Sequence, residues 1–174
     1  KHEKQWLEYK DSSKDDIKLF FETTKLDTAG YIIQNLNSMP YSFYCMNGDL
    51  LLDIDLQKLI TESTSVPSSL IGSIEVEDPT RYGVLQVTEE NKVESFIEKP
   101  DDDSFGKKIS LGLYHFYKRD LQKIVSNLET PCSFEHDVFP RLAEQNLLHT
   151  YTVTGKMIDV GTLESYISSH LNGA

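Results

Sequence analysis

The chain has 174 residues, of which 39% are hydrophobic and 26% charged, so it is long enough for one globular domain over residues 1–174. Its formal net charge of −11 disfavours nucleic acid and anionic lipid as partners, and no apolar run approaches the length of a membrane span. Cys45 and Cys132 are too few and too far apart for a disulfide framework or a metal-binding pair, which predicts a cytoplasmic protein.

Short strands and helices alternate along the chain. An apolar run predicts a strand over residues 17–22, and a helix is expected to begin at residue 31 and to include residue 36. Residues 41–46 are rich in aromatic side chains and precede Asn47-Gly48-Asp49, which predicts a buried strand followed by a turn. Asp55 is placed to cap the next helix.

The middle of the chain begins with a predicted strand over residues 70–76. Residues 83–87 and 93–98 flank Glu90-Asn91, a turn pair that predicts a β-hairpin. Another strand is expected over residues 109–116, and Asp120 is expected to cap the helix after it.

Two more helices and one strand complete the pattern. Ser133 is expected to cap a helix in which Pro140 starts a new turn. Residues 148–153 are predicted to form a strand, and Thr162 to cap the last helix. The alternation predicts a layered α/β domain with a mixed, mostly parallel sheet, whose ligands gather where strands end in loops.

Two aspartates stand at such strand ends. Asp49 follows a Gly-containing turn, where its carboxylate can hold a hard cation, although turn chemistry alone also explains these residues. Asp159 lies just ahead of Gly161-Thr162 and is either a helix-capping acid or a second metal ligand. Mg²⁺ is typically held by one or two carboxylates together with substrate phosphates.

Glu98-Lys99-Pro100 ends the second strand of the hairpin, and Pro100 fixes the exit of the chain. A carboxylate accepts hydrogen bonds from sugar hydroxyls, and an ammonium group pairs with a phosphate. In isolation, however, a surface ion pair before a turn is the favoured interpretation of Glu98 and Lys99.

These motifs, in this order, resemble the sugar-1-phosphate nucleotidyltransferase family, also called the NDP-sugar pyrophosphorylases. Each motif is weak alone, but their common order and spacing are specific to that family. The matching segments are residues 26–30, 47–49, 81–84, 93–100, 111–116, 135–143 and 158–162, with Tyr166.

The resemblance implies a Rossmann-like three-layer α/β/α sandwich, the nucleotide-diphospho-sugar transferase fold. It also implies a reaction in which a sugar 1-phosphate attacks the α-phosphorus of a nucleoside triphosphate and expels pyrophosphate. Asp49 and Asp159 would hold Mg²⁺, and Lys99 would bind the sugar phosphate. The other implied contacts are Gly83, Glu98 and Gly112 with the sugar, and Thr28, Ala29 and Gly30 with the nucleobase.

Three departures from the family pattern qualify these expectations. The family usually has Gly where this chain has Asp27, and a large aromatic residue near Met157. It also opens with a Gly-rich loop that carries an Arg and is followed by a Lys-Pro, and this sequence shows no counterpart. We therefore expect an N-terminally truncated version of the domain that forms a homo-oligomer, exchanges elements or is only marginally stable.

The leading interpretation is an enzyme domain of the mannose-, heptose- or glucose-1-phosphate class. Because the triphosphate-binding loop has no counterpart, this chain itself is expected to be inactive. The alternative is a non-catalytic relative, such as a regulatory or nucleotide-sugar-binding subunit or a translation-factor exchange subunit. A sugar-transferring enzyme of similar architecture is a third interpretation, and the sequence fixes neither the base nor the sugar.

Overall fold

The computed structural model describes residues 3–171 of the chain. Besides the helices and strands, two 3₁₀ turns, Leu36–Ser38 and Val125–Asn127, and a π-helical turn, Phe134–Val138, are present. In chain order the elements are α1 (Glu3–Ser12), α2 (Asp27–Gln34), β1 (Ser42–Met46), β2 (Leu50–Ile54), α3 (Leu56–Ser65), β3 (Ser69–Glu75), β4 (Gly83–Val87), β5 (Val93–Glu98), β6 (Lys108–Tyr117), α4 (Lys118–Ile124), α5 (Phe139–Glu144), β7 (Leu148–Thr152), β8 (Gly155–Asp159) and α6 (Leu163–Leu171).

The main sheet in the described part of the chain has six strands, in the order β5-β4-β6-β3-β7, with β1 also paired to β6. The sheet is mixed, as predicted, because β3 and β7 run parallel while the other pairs are antiparallel. The expected majority of parallel pairs is not found among residues 3–171. The reason is that β6 runs against all three of its neighbours, β1, β3 and β4.

Strand β6 is the longest strand and carries an irregularity near its middle. On one side it pairs with β3, but the register shifts: Ile71 faces Tyr114, whereas Ser73 faces Ser110. On the other side, the second half of β6 pairs with β1 and its first half touches β4 at Ile109. The ends of β1 and β4 therefore meet beside the irregular stretch of β6.

A second, two-stranded sheet is formed by β2 and β8, which run antiparallel with Leu50 opposite Asp159. The sequence predicts no bounds for either strand, although it places Asp159 at a strand end. The turn residues before β2 and the capping Asp55 after it leave only five residues for a strand, and β8 has an exposed glycine and lysine at its start. What holds these short segments extended is their mutual pairing, which a local pattern does not reveal.

Packed residues cover both faces of the main sheet, which gives the predicted three layers. On one face α2, α4, α5 and the π-helical turn pack against Tyr114 and Phe116 of β6. On the other face α3 and the small sheet pack against Ile109, Leu111 and Leu113. The alternation of side chains along one strand thus supplies both cores.

The larger core is built around aromatic rings. Phe116 is fully buried, and its ring stacks on Phe134 at 5.2 Å and on Phe139 at 6.4 Å between centroids. Tyr114 contacts both of these rings as well, at 5.5 and 5.0 Å. The aromatic cluster therefore ties the π-helical turn and α5 to the middle strand of the sheet.

The strand predicted over residues 17–22 is wrong, because this segment has no regular structure. No described strand pairs with it, and Phe20 and Phe21 remain 64% and 48% exposed. A strand needs a partner for its backbone hydrogen bonds, which an apolar run alone does not guarantee. The helix expected from residue 31 in fact begins at Asp27.

Three of the four predicted helix caps are confirmed. Asp55, Ser133 and Thr162 accept hydrogen bonds from the backbone N–H groups three residues ahead, at 3.0, 2.9 and 3.1 Å. The fourth is wrong: Asp120 lies inside α4, and its Oδ2 accepts from Ser69 N–H and Oγ–H at 2.8 and 3.0 Å. It is a buried side chain that joins α4 to β3.

We predict that Phe116→Ala lowers the free energy of unfolding by about 3–5 kcal/mol, because the cavity would lie among four other aromatic rings. The exposed Phe105, 41% accessible, is the matched control, and Phe105→Ala should change stability by less than about 1 kcal/mol. Urea denaturation followed by circular dichroism measures both. Equal losses for the two variants would contradict the assignment of the core.

Candidate functional site

One cleft of about 180 Å³ opens beside the irregular stretch of β6. It lies where β1, β4, β5 and β8 end or begin, so side chains from distant parts of the sequence meet there. Six residues proposed from the sequence line it: Asp49, Gly83, Glu98, Lys99, Gly112 and Asp159.

Asp49 and Asp159 lie side by side, as the sequence predicts, although 109 residues separate them in the chain. Asp49 immediately precedes β2, and Asp159 is the last residue of β8, the partner strand. The backbone N–H of Val160 donates to the carbonyl oxygen of Asp49 at 2.9 Å, which fixes the two strand ends together. The pairing of β2 with β8 thus brings the two carboxylates to one place.

Gly161 shows how closely the two carboxylates converge. A Cβ atom at this position would lie 2.9 Å from Asp159 Oδ1 and 3.9 Å from Asp49 Oδ2. Asp159 Oδ1 also accepts a hydrogen bond from Gly161 N–H at 2.8 Å, and both aspartates are exposed. Two exposed carboxylates with oxygen atoms to spare suit Mg²⁺, which usually keeps waters and phosphate oxygens among its ligands.

Two glycines of the cleft lie where an added Cβ atom would overlap a neighbouring side chain. Gly112 has φ +72°, a left-handed conformation, and a Cβ there would overlap Leu50 Cδ1. Its carbonyl oxygen accepts from Asn47 N–H at 2.9 Å, so the irregular stretch of β6 is joined to the end of β1. A Cβ at Gly83 would overlap the ring of Phe96, whose edge fills the space above the glycine.

Glu98 and Lys99 stand at the end of β5, with Lys99 Nζ 3.4 Å from Glu98 Oε1. The Glu98 side chain is 24% exposed and that of Lys99 is 66% exposed, so the ammonium group can turn towards a ligand. Lys99 has φ +45°, which is uncommon for a residue with a side chain. Its N–H donates to Tyr82 O at 3.0 Å, which holds this conformation in place.

The structure does not bring Thr28, Ala29 and Gly30 into the cleft. Ala29 and Gly30 are buried in α2, where Ala29 N–H donates to Cys132 O at 3.1 Å. Thr28 is exposed but hydrogen-bonds to Glu135, which does line the cleft, at 3.0 Å. Contact of these residues with a nucleobase therefore stays a prediction from the family resemblance.

Asp27, where the family usually has Gly, has φ +65°. This left-handed conformation is the one that favours glycine, and Asp tolerates it better than most residues because its side chain bonds locally. Asp27 Oδ1 accepts from Thr28 N–H at 2.9 Å. The Asp27 side chain therefore supports the left-handed backbone at this departure from the family pattern. Met157, at the second departure, lines the cleft.

Sequence reasoning missed several residues of the cleft. Asn47 lay within a recognised turn motif, and Tyr82 and Glu135 lay within recognised family segments, but no role was assigned to them. The clue for Glu135 was an acid placed two residues after a predicted helix cap. The remaining lining residues are Leu50, Arg81, Phe96, Ser110, Leu111 and Tyr114.

The side chains that line the cleft carry a net negative charge, and Tyr114 at its floor is uncharged. Asp49, Glu98, Glu135 and Asp159 face only Arg81 and Lys99 among its lining residues. Burial raises the pKa of Tyr114 at the floor of the cleft, and the negative charge of Glu135 raises it further. Burial, followed by the charge of Glu135, also raises the pKa of the Cys45 thiol to about 11. Both groups are neutral at physiological pH.

The model of one protein family, described as nucleotidyl transferase, matches residues 2–173. The mannose-1-phosphate guanylyltransferase catalytic subunit beta of Drosophila pseudoobscura pseudoobscura is 31% identical over 158 residues, covering 87% of this chain and 42% of its own length. The mannose-1-phosphate guanyltransferase of Gibberella zeae is 30% identical over 174 residues, which cover 95% of this chain and 46% of the relative's length. The chain thus spans less than half the length of these curated relatives.

Solved structures give the same picture of the fold. The crystal structure of HddC from Yersinia pseudotuberculosis superposes with a TM-score of 0.76 at 26% identity, covering 99% of this chain and 74% of that one. Within residues 3–171 no helix is long and apolar enough to cross a membrane.

We predict that Gly112→Ala lowers the free energy of unfolding by about 1–3 kcal/mol, because the left-handed backbone and the contact with Leu50 both resist a Cβ atom. Gly48 is the matched control in the same region, because a Cβ atom added there would meet no other atom within 4 Å. Gly48→Ala should change stability by less than about 1 kcal/mol. Denaturant unfolding of both variants is the measurement, and similar effects would argue against strain at Gly112.

Proposed function

This chain belongs to the nucleotidyl transferase family, and we propose that its cleft binds a sugar 1-phosphate for transfer of a nucleotide from a nucleoside triphosphate. The proposal rests on one observation. Glu98, Lys99, Asp49 and Asp159, from three separate regions of the sequence, line a single cleft in which a phosphate and a polyhydroxylated ring have complementary groups.

Each group suits one part of such a ligand. The Lys99 ammonium group is exposed and can pair with the phosphate, while the half-buried Glu98 carboxylate can accept hydrogen bonds from ring hydroxyls. Gly83 and Gly112 line the same cleft, so their backbone groups are available to contact the ring. The site therefore orients the sugar phosphate through hydrogen bonds and one cation rather than through acid–base groups.

The proposed reaction joins the sugar-phosphate oxygen to the α-phosphorus of the triphosphate, and the bond from that phosphorus to the pyrophosphate oxygen breaks. Asp49 and Asp159 would hold Mg²⁺, which supplies charge neutralisation for phosphate oxygens. The residues of this chain contribute the positioning: Lys99 on the sugar phosphate, Glu98 on the ring, and the two aspartates on the cation.

Mannose 1-phosphate and a guanine nucleotide are the first substrates to test, because the curated relatives are named as mannose-1-phosphate guanylyltransferases. Glucose 1-phosphate and heptose 1-phosphate are the next sugar phosphates. The alternative, a nucleotide-sugar-binding relative without catalysis, would show binding of the nucleotide sugar and no preference for the separate substrates. The free thiols of Cys45 and Cys132 agree with the proposed cytoplasmic location.

We predict that the chain binds mannose 1-phosphate and that Lys99→Ala weakens this binding about 10- to 150-fold, because a charge-assisted contact worth about 1.5–3 kcal/mol is lost. Lys107→Ala is the control, since Lys107 pairs with Glu77 outside the cleft at 2.8 Å. Isothermal titration calorimetry with Mg²⁺ present measures both. If both variants bind as the unsubstituted chain does, Lys99 has no role in holding the phosphate.

We also predict that Asp49→Asn and Asp159→Asn each weaken Mn²⁺ binding at least tenfold, because either change removes one of two anionic ligands. Mn²⁺ serves as a paramagnetic probe of the Mg²⁺ site, and electron paramagnetic resonance reports its free fraction. Asp53→Asn, an exposed aspartate on β2, is the control with the same change of charge. Equal affinity in Asp49→Asn and Asp53→Asn would rule out the proposed cation site.

A further inference from the structure

Glu135 is a cleft residue that the proposed function does not use. It lies in the first turn of the π-helical segment Phe134–Val138, and its side chain is half-buried. π-Helical turns are rare and often occur at functional sites, because the extra residue changes the direction of a side chain. Here the turn is held by Ser133, whose carbonyl oxygen accepts from both Asp137 and Val138 N–H at 3.2 Å.

A short chain of hydrogen bonds fixes the Glu135 carboxylate. Phe134 N–H donates to Thr28 Oγ1 at 2.9 Å, and Thr28 Oγ1–H donates to Glu135 Oε2 at 3.0 Å. A threonine hydroxyl has a single proton. Because the amide already donates into the oxygen of Thr28, that proton is free to point at Glu135, and the direction of both bonds is set.

The other oxygen of this carboxylate is left for a ligand. Within residues 3–171, no hydrogen bond is made to Glu135 Oε1, and no Lys, Arg or His forms an ion pair with Glu135. A half-buried carboxylate without a cation is costly unless hydrogen-bond donors replace the lost water. After burial, the negative charge of Glu135 further raises the pKa of Tyr114, which lines the cleft, and the pKa of the nearby Cys45 thiol.

We infer that Glu135 is a specificity-determining residue that accepts a hydrogen bond from one ring hydroxyl of the sugar 1-phosphate, and that Thr28 is the positioning residue that holds it. The inference rests on the proposed function and deepens it. A phosphate group would be repelled by this unpaired carboxylate, whereas a neutral hydroxyl is the donor that it lacks.

This assignment gives the two sugar-facing acids different tasks. Glu98 forms an ion pair with Lys99, whose ammonium group is proposed to bind the phosphate. Glu135 has no such cation and is held by a neutral hydroxyl from α2. Glu98 is therefore suited to the end of the sugar that carries the phosphate, and Glu135 to a hydroxyl elsewhere on the ring.

The test is calorimetric titration of the chain with mannose 1-phosphate and with analogues in which each ring hydroxyl in turn is replaced by hydrogen. Glu135→Ala should weaken binding of the parent compound about 10- to 100-fold, and Glu135→Gln by less, because the amide oxygen still accepts but carries no charge. For the one analogue that lacks the recognised hydroxyl, the unsubstituted chain and Glu135→Ala should bind equally.

Thr28→Val tests the positioning role, and Thr28→Ser, which keeps the hydroxyl, should restore binding. Thr28→Val should lose affinity for the parent compound but not for the analogue without the recognised hydroxyl, whereas a purely structural role would weaken both. The exposed Glu144, changed to Ala, controls for the altered net charge and should bind normally.

Two results separate failure of this inference from failure of the proposed function. If Glu135→Ala binds the parent compound as tightly as the unsubstituted chain does, Glu135 accepts no hydrogen bond from a ring hydroxyl. The same holds if Glu135→Ala loses affinity by the same factor for every analogue. Either result overturns the inference. If the unsubstituted chain binds none of mannose, glucose and heptose 1-phosphate, the proposed function itself is overturned, and the inference with it.

Discussion

The candidate site depends on one backbone conformation, the left-handed turn that β6 makes at Gly112. Because β6 departs from regular pairing there, it can hold β1 along its second half and β4 at its first half, with a gap between them. That gap is the cleft. Leu50, the first residue of β2, occupies the space that a side chain on Gly112 would need. The small sheet therefore packs against β6 at Gly112. This contact places the small sheet, and with it Asp49 and Asp159, at the cleft.

Most of the fold could be predicted because its strands and caps are local features. The hairpin of β4 and β5 has the predicted bounds, and Asp55, Ser133 and Thr162 cap helices through bonds that span three residues. The wrong or missing predictions concern segments whose structure depends on pairing with a strand from a distant part of the chain. The apolar residues 17–22 have no neighbouring strand among the described residues, whereas β2 and β8 are extended only because they pair with each other from distant parts of the chain. No local pattern contains that information.

The candidate site was predictable where a family motif carried it, and the structure shows which motif residues meet. Asp27 illustrates why the exceptions are informative: where the family usually has Gly, this chain has a left-handed backbone, with φ +65°, and the Asp27 carboxylate accepts a bond from Thr28 N–H. Glu135 could not be assigned from the sequence. Its significance depends on Thr28, 107 positions away, and on the absence of a cation beside it in the described residues.

The balance of charge in the cleft limits what its own residues can bind. Four carboxylates and two cations line it, so an anionic ligand meets net repulsion unless a metal ion offsets the acids. In the proposed function, the one phosphate of a sugar 1-phosphate would be matched by Lys99 and by a cation held at Asp49 and Asp159. A triphosphate carries more charge, and its binding calls for directed N–H donors and further cations. The charge of the described cleft is therefore better matched to the proposed sugar phosphate than to a triphosphate, in line with the proposal that Glu98 and Glu135 accept hydrogen bonds from hydroxyls.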